Sequence, residues 1–136
     1  MKDSELRTRG KTLMTIDQAK HIIEANYSMQ KNSLTLLMYD DCVFSTDAFW
    51  AFYDAIACVT RAFVKNEVLT TQITVVYQKF LKEIIYHFAP NDVATMKSFP
   101  ENYNDYIERL DYAVRAYLET KPEWLDDEMF DLQRNT

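Results

Sequence analysis

The chain has 136 residues, of which 48% are hydrophobic and 14% aromatic, and its formal net charge is −6. This composition predicts one domain with its own core, because a chain of about 150 residues buries roughly 68–70% of its unfolded surface. The negative charge repels nucleic-acid phosphates and attracts basic surfaces, so it disfavours a nucleic-acid-binding protein. Gly10 is the only glycine, which excludes the glycine-rich loops of dinucleotide and P-loop sites.

The N-terminal stretch and the longest apolar run bear on domain organisation and location. Residues 1–14 are mostly polar and charged, which predicts a flexible tail ahead of a single helical domain over residues 15–136. No apolar segment follows the first charges, and the run Ala48 to Tyr53 is too short to cross a bilayer. We therefore expect a cytoplasmic protein without a membrane segment, in which Cys42 and Cys58 are reduced thiols.

Capping signals predict the first helix. Thr15 and Gln18 have the spacing of a capping box, and the helix that they start is expected to end near Lys31. Asn32 would follow in the left-handed conformation, because asparagine commonly replaces glycine there. The next stretch, Ser33 to Phe44, fits both strand and helix spacing. Because a lone strand has no pairing partner, we predict a short helix followed by a turn.

Two long helices are predicted in the middle of the chain. The first starts at the cap Ser45 and would end at Lys65 and Asn66, where the Lys-Asn pair recurs. Apolar residues lie on most of its sides, which is typical of a central helix. The second covers Thr71 to Phe88, where the 3.6-residue period outweighs the β-branched composition.

Prolines divide the last third of the chain. A short helix capped by Asn91 or Asp92 is predicted after Pro90, and Pro100 suits the first turn of a longer helix. A second capping box, Thr120 with Glu123, predicts a final helix of about 11 residues. That helix would dock on the bundle through a stripe formed by Leu125, Met129 and Leu132. The predicted fold is therefore an all-α, irregular bundle of about five to six helices.

Two histidine and glutamate pairs are candidates for a ligand or metal site between helices. His21 precedes Glu24 by three residues and Glu83 precedes His87 by four, so each pair can share one helix face. Di-metal carboxylate bundles instead place a glutamate three residues before a histidine on two helices. The spacing therefore favours ordinary pairs within a helix, and we expect no metal and no cofactor.

Acids and tyrosines are concentrated near the C-terminus. Residues 119–136 hold six acids and two bases, a local charge of −4. Tyrosine beside aspartate or glutamate is a pairing that contacts the arginine and lysine of a basic partner. The residues predicted to contact such a partner are Glu108, Asp111, Tyr112, Asp126, Asp127, Phe130 and Asp131.

Two functional hypotheses follow from these observations. The first is a small acidic protein-interaction module without enzymatic activity, an inhibitor or immunity-type protein that binds a basic toxin or nuclease. The alternative is a helical-bundle enzyme or ligand-binding protein, whose site between helices would use His21, His87, Tyr77 or Glu83. A polar cluster that converges on a pocket between helices would favour the second hypothesis.

Overall fold

The computed structural model describes residues 14–89 and 95–134, and within them the chain forms five α-helices and two 3-10 turns. The helices are α1 Ile16–Tyr27, α2 Leu34–Tyr39, α3 Thr46–Arg61, α4 Glu67–His87 and α5 Tyr103–Glu119, and the 3-10 turns are Pro122–Leu125 and Asp127–Met129. The all-α prediction is confirmed. Apart from Met14, the predicted tail lies outside the described residues.

Helix α3 is the centre of the bundle, as its apolar composition predicts. It packs against α1 and α5, and it also contacts α2 and the first 3-10 turn. Its side chains Phe49, Phe52 and Ile56 are fully buried. The rings of Phe49 and Tyr106 meet edge to face with centroids 4.9 Å apart, which ties α3 to α5.

The helix starts follow local capping chemistry. In the predicted capping box, the Gln18 amide donates to Thr15 Oγ1 at 3.0 Å and the Thr15 amide donates to Gln18 Oε1 at 2.9 Å. Helix α4 begins at Glu67, four residues before the predicted start. The reason is that Asn66 is its N-cap, with Oδ1 accepting from the Leu69 amide at 2.9 Å. The prediction that Asn66 ends the preceding helix is therefore wrong.

Three helices end with a left-handed residue that is not glycine. Met29 after α1, Phe63 after α3 and Thr120 after α5 have φ values of 53°, 58° and 57°. In each case the next amide donates to the carbonyl five residues earlier, which is the Schellman arrangement. Helices α1 and α3 consequently end at Tyr27 and Arg61, earlier than predicted. Asn32 is left-handed as predicted, but it lies in the loop that follows.

The connection between α4 and α5 departs in part from the prediction. Residues 90–94 lie outside the described residues, so the start of the predicted short helix is not tested. Lys97 is not helical, since it forms an isolated β-bridge with Val43. Its amide donates to the Cys42 carbonyl at 2.7 Å, and its carbonyl accepts from the Phe44 amide at 3.0 Å. Helix α5 then begins three residues after Pro100.

The C-terminal segment, which we define as Pro122–Arg134, is not the predicted α-helix. Thr120 is the C-cap residue of α5 and has a left-handed backbone conformation. An N-cap residue has an extended backbone, so Thr120 cannot also be the N-cap of a new helix. The backbone is extended at Asp126 and separates two 3-10 turns. Leu125 and Leu132 are buried as predicted, whereas Met129 is 51% exposed. The segment docks on the bundle, but without a helical stripe.

Candidate partner-binding face

A buried arginine lies beneath the C-terminal segment. Arg109 of α5 is 1% exposed, and its guanidinium carbon lies 5.0 Å from the Trp50 ring centroid, 4.7 Å from that of Tyr53 and 4.5 Å from that of Phe130. Its Nη2 donates to Asp127 Oδ1 at 2.8 Å. Aromatic faces and a carboxylate thus replace the water around this charge. The arginine joins α3, α5 and the C-terminal segment.

A second arginine ties the end of the segment to α3. Nη1 of Arg134 donates to both carboxylate oxygens of Asp54, at 2.8 and 2.9 Å. Its guanidinium carbon lies 4.4 Å from the Trp50 ring centroid. Its Nη2 is also 3.9 Å from Asp127 Oδ1, so Asp127 lies between two arginines. Asp127 therefore has partners within the protein, which sequence reasoning did not predict.

The same cluster contains buried polar atoms without a partner. Among the described side chains, the buried nitrogen and oxygen atoms that lack a hydrogen bond are Tyr53 Oη, Arg109 Nε and Nη1, and Arg134 Nε. An unpaired buried polar group costs about 1–3 kcal/mol. Desolvation by burial also raises the pKa of Tyr53, which keeps the phenol neutral. Closure of the segment over Arg109 therefore carries an energetic cost.

An acidic pocket lies beside Phe130, where α5 meets the C-terminal segment. Its volume is about 80 Å³, and its lining residues are Asp105, Glu108, Met129, Phe130, Asp131 and Leu132. Three of these side chains are carboxylates, and they come from two different elements of the fold. Carboxylates form strong, charge-assisted hydrogen bonds with arginine and lysine. The pocket can therefore take the cationic end of a basic side chain.

The structure brings together three of the predicted contact residues, since Glu108, Phe130 and Asp131 line this pocket. Tyr112 contacts Phe130 edge to face, with ring centroids 5.4 Å apart. Asp126 is exposed, and its Oδ1 accepts from the Glu128 amide at 3.1 Å. Glu108 and Tyr112 come from α5, whereas Phe130, Asp131 and Asp126 come from the C-terminal segment.

Asp111 has a different position, although it was predicted as a contact residue. It accepts a hydrogen bond from the Tyr77 hydroxyl at 3.1 Å, between α4 and α5. Burial raises the pKa of Tyr77 to about 12, and the Asp111 charge and hydrogen bond add to this effect. Asp111 thus connects two helices of the bundle.

Sequence reasoning missed Arg109, although the signal was present. Arg109 lies one residue before Leu110 and four before Ala113, and both of these residues are fully buried. A charged residue within the apolar side of an amphipathic helix predicts a buried partner or a functional group. The partner itself, Asp127, could not be identified from spacing, because it lies eighteen residues away in a segment without helical periodicity.

The histidine and glutamate pairs have separate structural contacts. Glu24 Oε1 accepts from Gln72 Nε2 at 2.5 Å, which links α1 to α4. His87 Nδ1 accepts from the Met96 amide at 2.9 Å, and its ring stacks on that of Phe99 at 4.0 Å. Over residues 14–89 and 95–134, no group of three or more His, Cys, Asp or Glu side chains is placed to hold a metal ion.

Comparison with known proteins gives no further guide to this face. No protein-family model, curated protein or solved structure matches the chain. Among the described helices, none combines the length and the apolar character needed to span a bilayer. The functional inference therefore depends on the geometry of the acidic pocket and its surroundings.

Proposed function

We propose that the chain is a small acidic interaction module that binds a basic protein through the acidic pocket. In this role it acts as an inhibitor or immunity-type protein against a basic partner such as a toxin or nuclease. The observation that supports the proposal is the pocket itself, where Asp105 and Glu108 of α5 lie beside Asp131 of the C-terminal segment. A lysine or arginine of the partner would enter between these carboxylates.

The surroundings of the pocket suit a protein partner. Asp126, Glu128 and Asp131 are exposed on the same segment, so the field around the pocket is negative. Exposed charges of this kind act mainly on the association rate, which they increase at low ionic strength. Met129 adds an apolar contact, because 51% of its surface is exposed beside the carboxylates. Methionine adapts to irregular binding surfaces better than branched side chains do.

The experiment compares the wild-type chain with two triply neutralised variants as baits for capture from a lysate. The test variant carries Asp105→Asn, Glu108→Gln and Asp131→Asn. The control variant carries Asp40→Asn, Asp41→Asn and Glu67→Gln, which removes the same charge from exposed positions elsewhere. We expect a basic protein that the wild type and the control capture, and that the test variant loses.

Binding kinetics of the chain with its purified partner then separate electrostatic steering from direct side-chain contact. The test variant should associate more slowly at low salt and lose most of its salt dependence. Met129→Ala should leave association unchanged and increase the dissociation rate, by about tenfold if the contact contributes about 1.4 kcal/mol. Capture of the same proteins by all three baits, with equal association rates, would contradict the proposal.

A further inference from the structure

The C-terminal segment is bound to the bundle mainly by side chains. The backbone hydrogen bonds described for it are local: the Trp124 amide donates to the Lys121 carbonyl, Met129 to Asp126 and Phe130 to Asp127. Within residues 14–89 and 95–134, one hydrogen bond from the bundle reaches the backbone of the segment, from Arg61 Nη2 to the Leu125 carbonyl at 3.3 Å. The segment can therefore leave the bundle without breaking any helix of the bundle.

Side-chain contacts hold the segment closed, and they include the Arg134 pair with Asp54 and the Phe130 ring on Tyr112. Leu125 and Leu132 are its buried apolar side chains, at 0% and 8% exposure. Between them, Asp127 is paired with Arg109 at 2.8 Å, and Phe130 covers the same guanidinium at 4.5 Å. Arg109 thus receives both a charge contact and a ring contact from the segment, which makes it the central anchor.

The closed arrangement also leaves polar atoms without partners. Nε and Nη1 of Arg109, Nε of Arg134 and Oη of Tyr53 have no hydrogen bond beneath the segment. When the segment leaves, water can reach these groups and form hydrogen bonds with them. The hydrogen bonds that these groups form with water in the open state therefore offset part of the free energy that burial of Leu125 and Leu132 contributes to closure. Regions with few buried apolar contacts open at lower free energy than the core does.

We propose that the C-terminal segment is a strap that opens and closes over Arg109 independently of the five-helix bundle, with Arg109 as its latch. Two of the pocket carboxylates, Asp105 and Glu108, lie on α5, whereas Phe130 and Asp131 lie on the strap. The acidic pocket consequently exists only when the strap is closed. A basic partner that fills the pocket holds the strap closed, and this coupling rests on the proposed function.

Native-state hydrogen exchange of the full-length chain tests the strap without any partner. We expect the Met129 and Phe130 amides to exchange through a local opening, with little dependence on low denaturant concentrations. The Tyr53 and Ile56 amides of α3 should instead exchange only through global unfolding. If the strap amides show the same opening free energy and denaturant dependence as the α3 amides, the strap opens only with the bundle and the proposal is wrong.

Two strap variants with the same change in charge identify the latch. Asp127→Asn weakens the contact with Arg109, and it should speed exchange of the strap amides by about tenfold, equivalent to about 1.4 kcal/mol. Asp131→Asn removes a charge from the same strap without removing a contact with Arg109, and it lowers the repulsion from Asp105 and Glu108 of α5, so exchange should not be faster than in the wild type. Equal acceleration by both variants would overturn the role of Arg109, since it would reflect net charge alone.

The same two variants distinguish the strap from the proposed function. If the basic-partner proposal fails, Asp131→Asn does not weaken the capture of any basic protein, while the exchange results for the strap stay the same. If the strap proposal fails, the exchange difference between Asp127→Asn and Asp131→Asn disappears, while Asp131→Asn still weakens partner binding. Where both hold, adding the partner to the wild type slows exchange at Met129 and Phe130 more than at Tyr53.

Discussion

The Tyr77 hydroxyl donates a hydrogen bond to Asp111 Oδ1 at 3.1 Å, and it links α4 to α5. Burial, the Asp111 charge and this hydrogen bond together raise the pKa of Tyr77 to about 12. In the unfolded chain a tyrosine has a pKa of about 10. Between these two values the folded protein keeps a proton that the unfolded chain has lost.

The linkage predicts a loss of stability at alkaline pH. The contribution of Tyr77 is fully present below pH of about 10, and it disappears as the pH rises through about 12. Tyr77→Phe should therefore show a shallower decrease of unfolding free energy over that interval, as measured by urea unfolding at several pH values. Asp111→Asn should lower the pKa of Tyr77 in an absorbance titration. An unchanged slope in Tyr77→Phe would contradict this assignment.

A second prediction concerns the left-handed residue after α3. Phe63 has a φ of 58° and its side chain is 66% exposed, so its ring contributes little to the core. A left-handed conformation costs a non-glycine residue roughly 1–2 kcal/mol. Glycine removes this cost, but it also increases the conformational entropy of the unfolded chain, which partly offsets the gain. Phe63→Gly should therefore raise the unfolding free energy by about 1 kcal/mol or slightly less.

Phe63→Ala is the matched control for that prediction. It removes the same ring but keeps the β-carbon, so it should not stabilise the protein. Both variants are compared with the wild type by urea unfolding at neutral pH. A glycine variant that is no more stable than the alanine variant would show that Phe63 carries no conformational strain.

A third prediction tests whether the C-terminal segment is docked through its leucines. Leu125 is fully buried, and Leu125→Ala should lower the unfolding free energy by about 2–5 kcal/mol if the segment unfolds with the bundle. Because the strap opens independently of the bundle, we expect a much smaller loss of global stability than this, with faster exchange of the strap amides. A loss in the full range of about 2–5 kcal/mol would contradict the strap. Met129→Ala serves as the exposed control, and its stability should equal that of the wild type.

The cysteines give a fourth prediction. Cys42 and Cys58 form no disulfide with each other in the structure, and we predict that both are reduced thiols. Thiol titration of the denatured protein, purified without reductant, should find two thiols. In the native protein Cys58 should react slowly, because desolvation raises the pKa of its thiol and the thiolate is the reactive form. Rapid native reaction of Cys58 would contradict the raised thiol pKa at this half-buried position.

Local chemistry in the sequence was sufficient to predict the helical fold. The capping box at Thr15, the cap at Ser45 and the period-3.6 apolar spacing each involve residues within one or two turns, so their energetics do not depend on distant parts of the chain. The acidic charge near the C-terminus was also evident, and the prediction that Glu108, Phe130 and Asp131 contact a partner stays a prediction. The helix ends were less predictable, because Met29, Phe63 and Thr120 take a conformation usually given to glycine.

Only the tertiary structure decided how the C-terminal segment is used. The sequence predicted an α-helix after Thr120, whereas Thr120 closes α5 and the segment follows the side chains beneath it. Asp127 is held by Arg109, and Arg134 is held by Asp54, which lies 80 residues away in the chain. Such long-range contacts between charges and rings leave no periodic signal. The same sequence therefore determines the helices locally, while the shape of the acidic pocket depends on which distant groups meet when those helices pack.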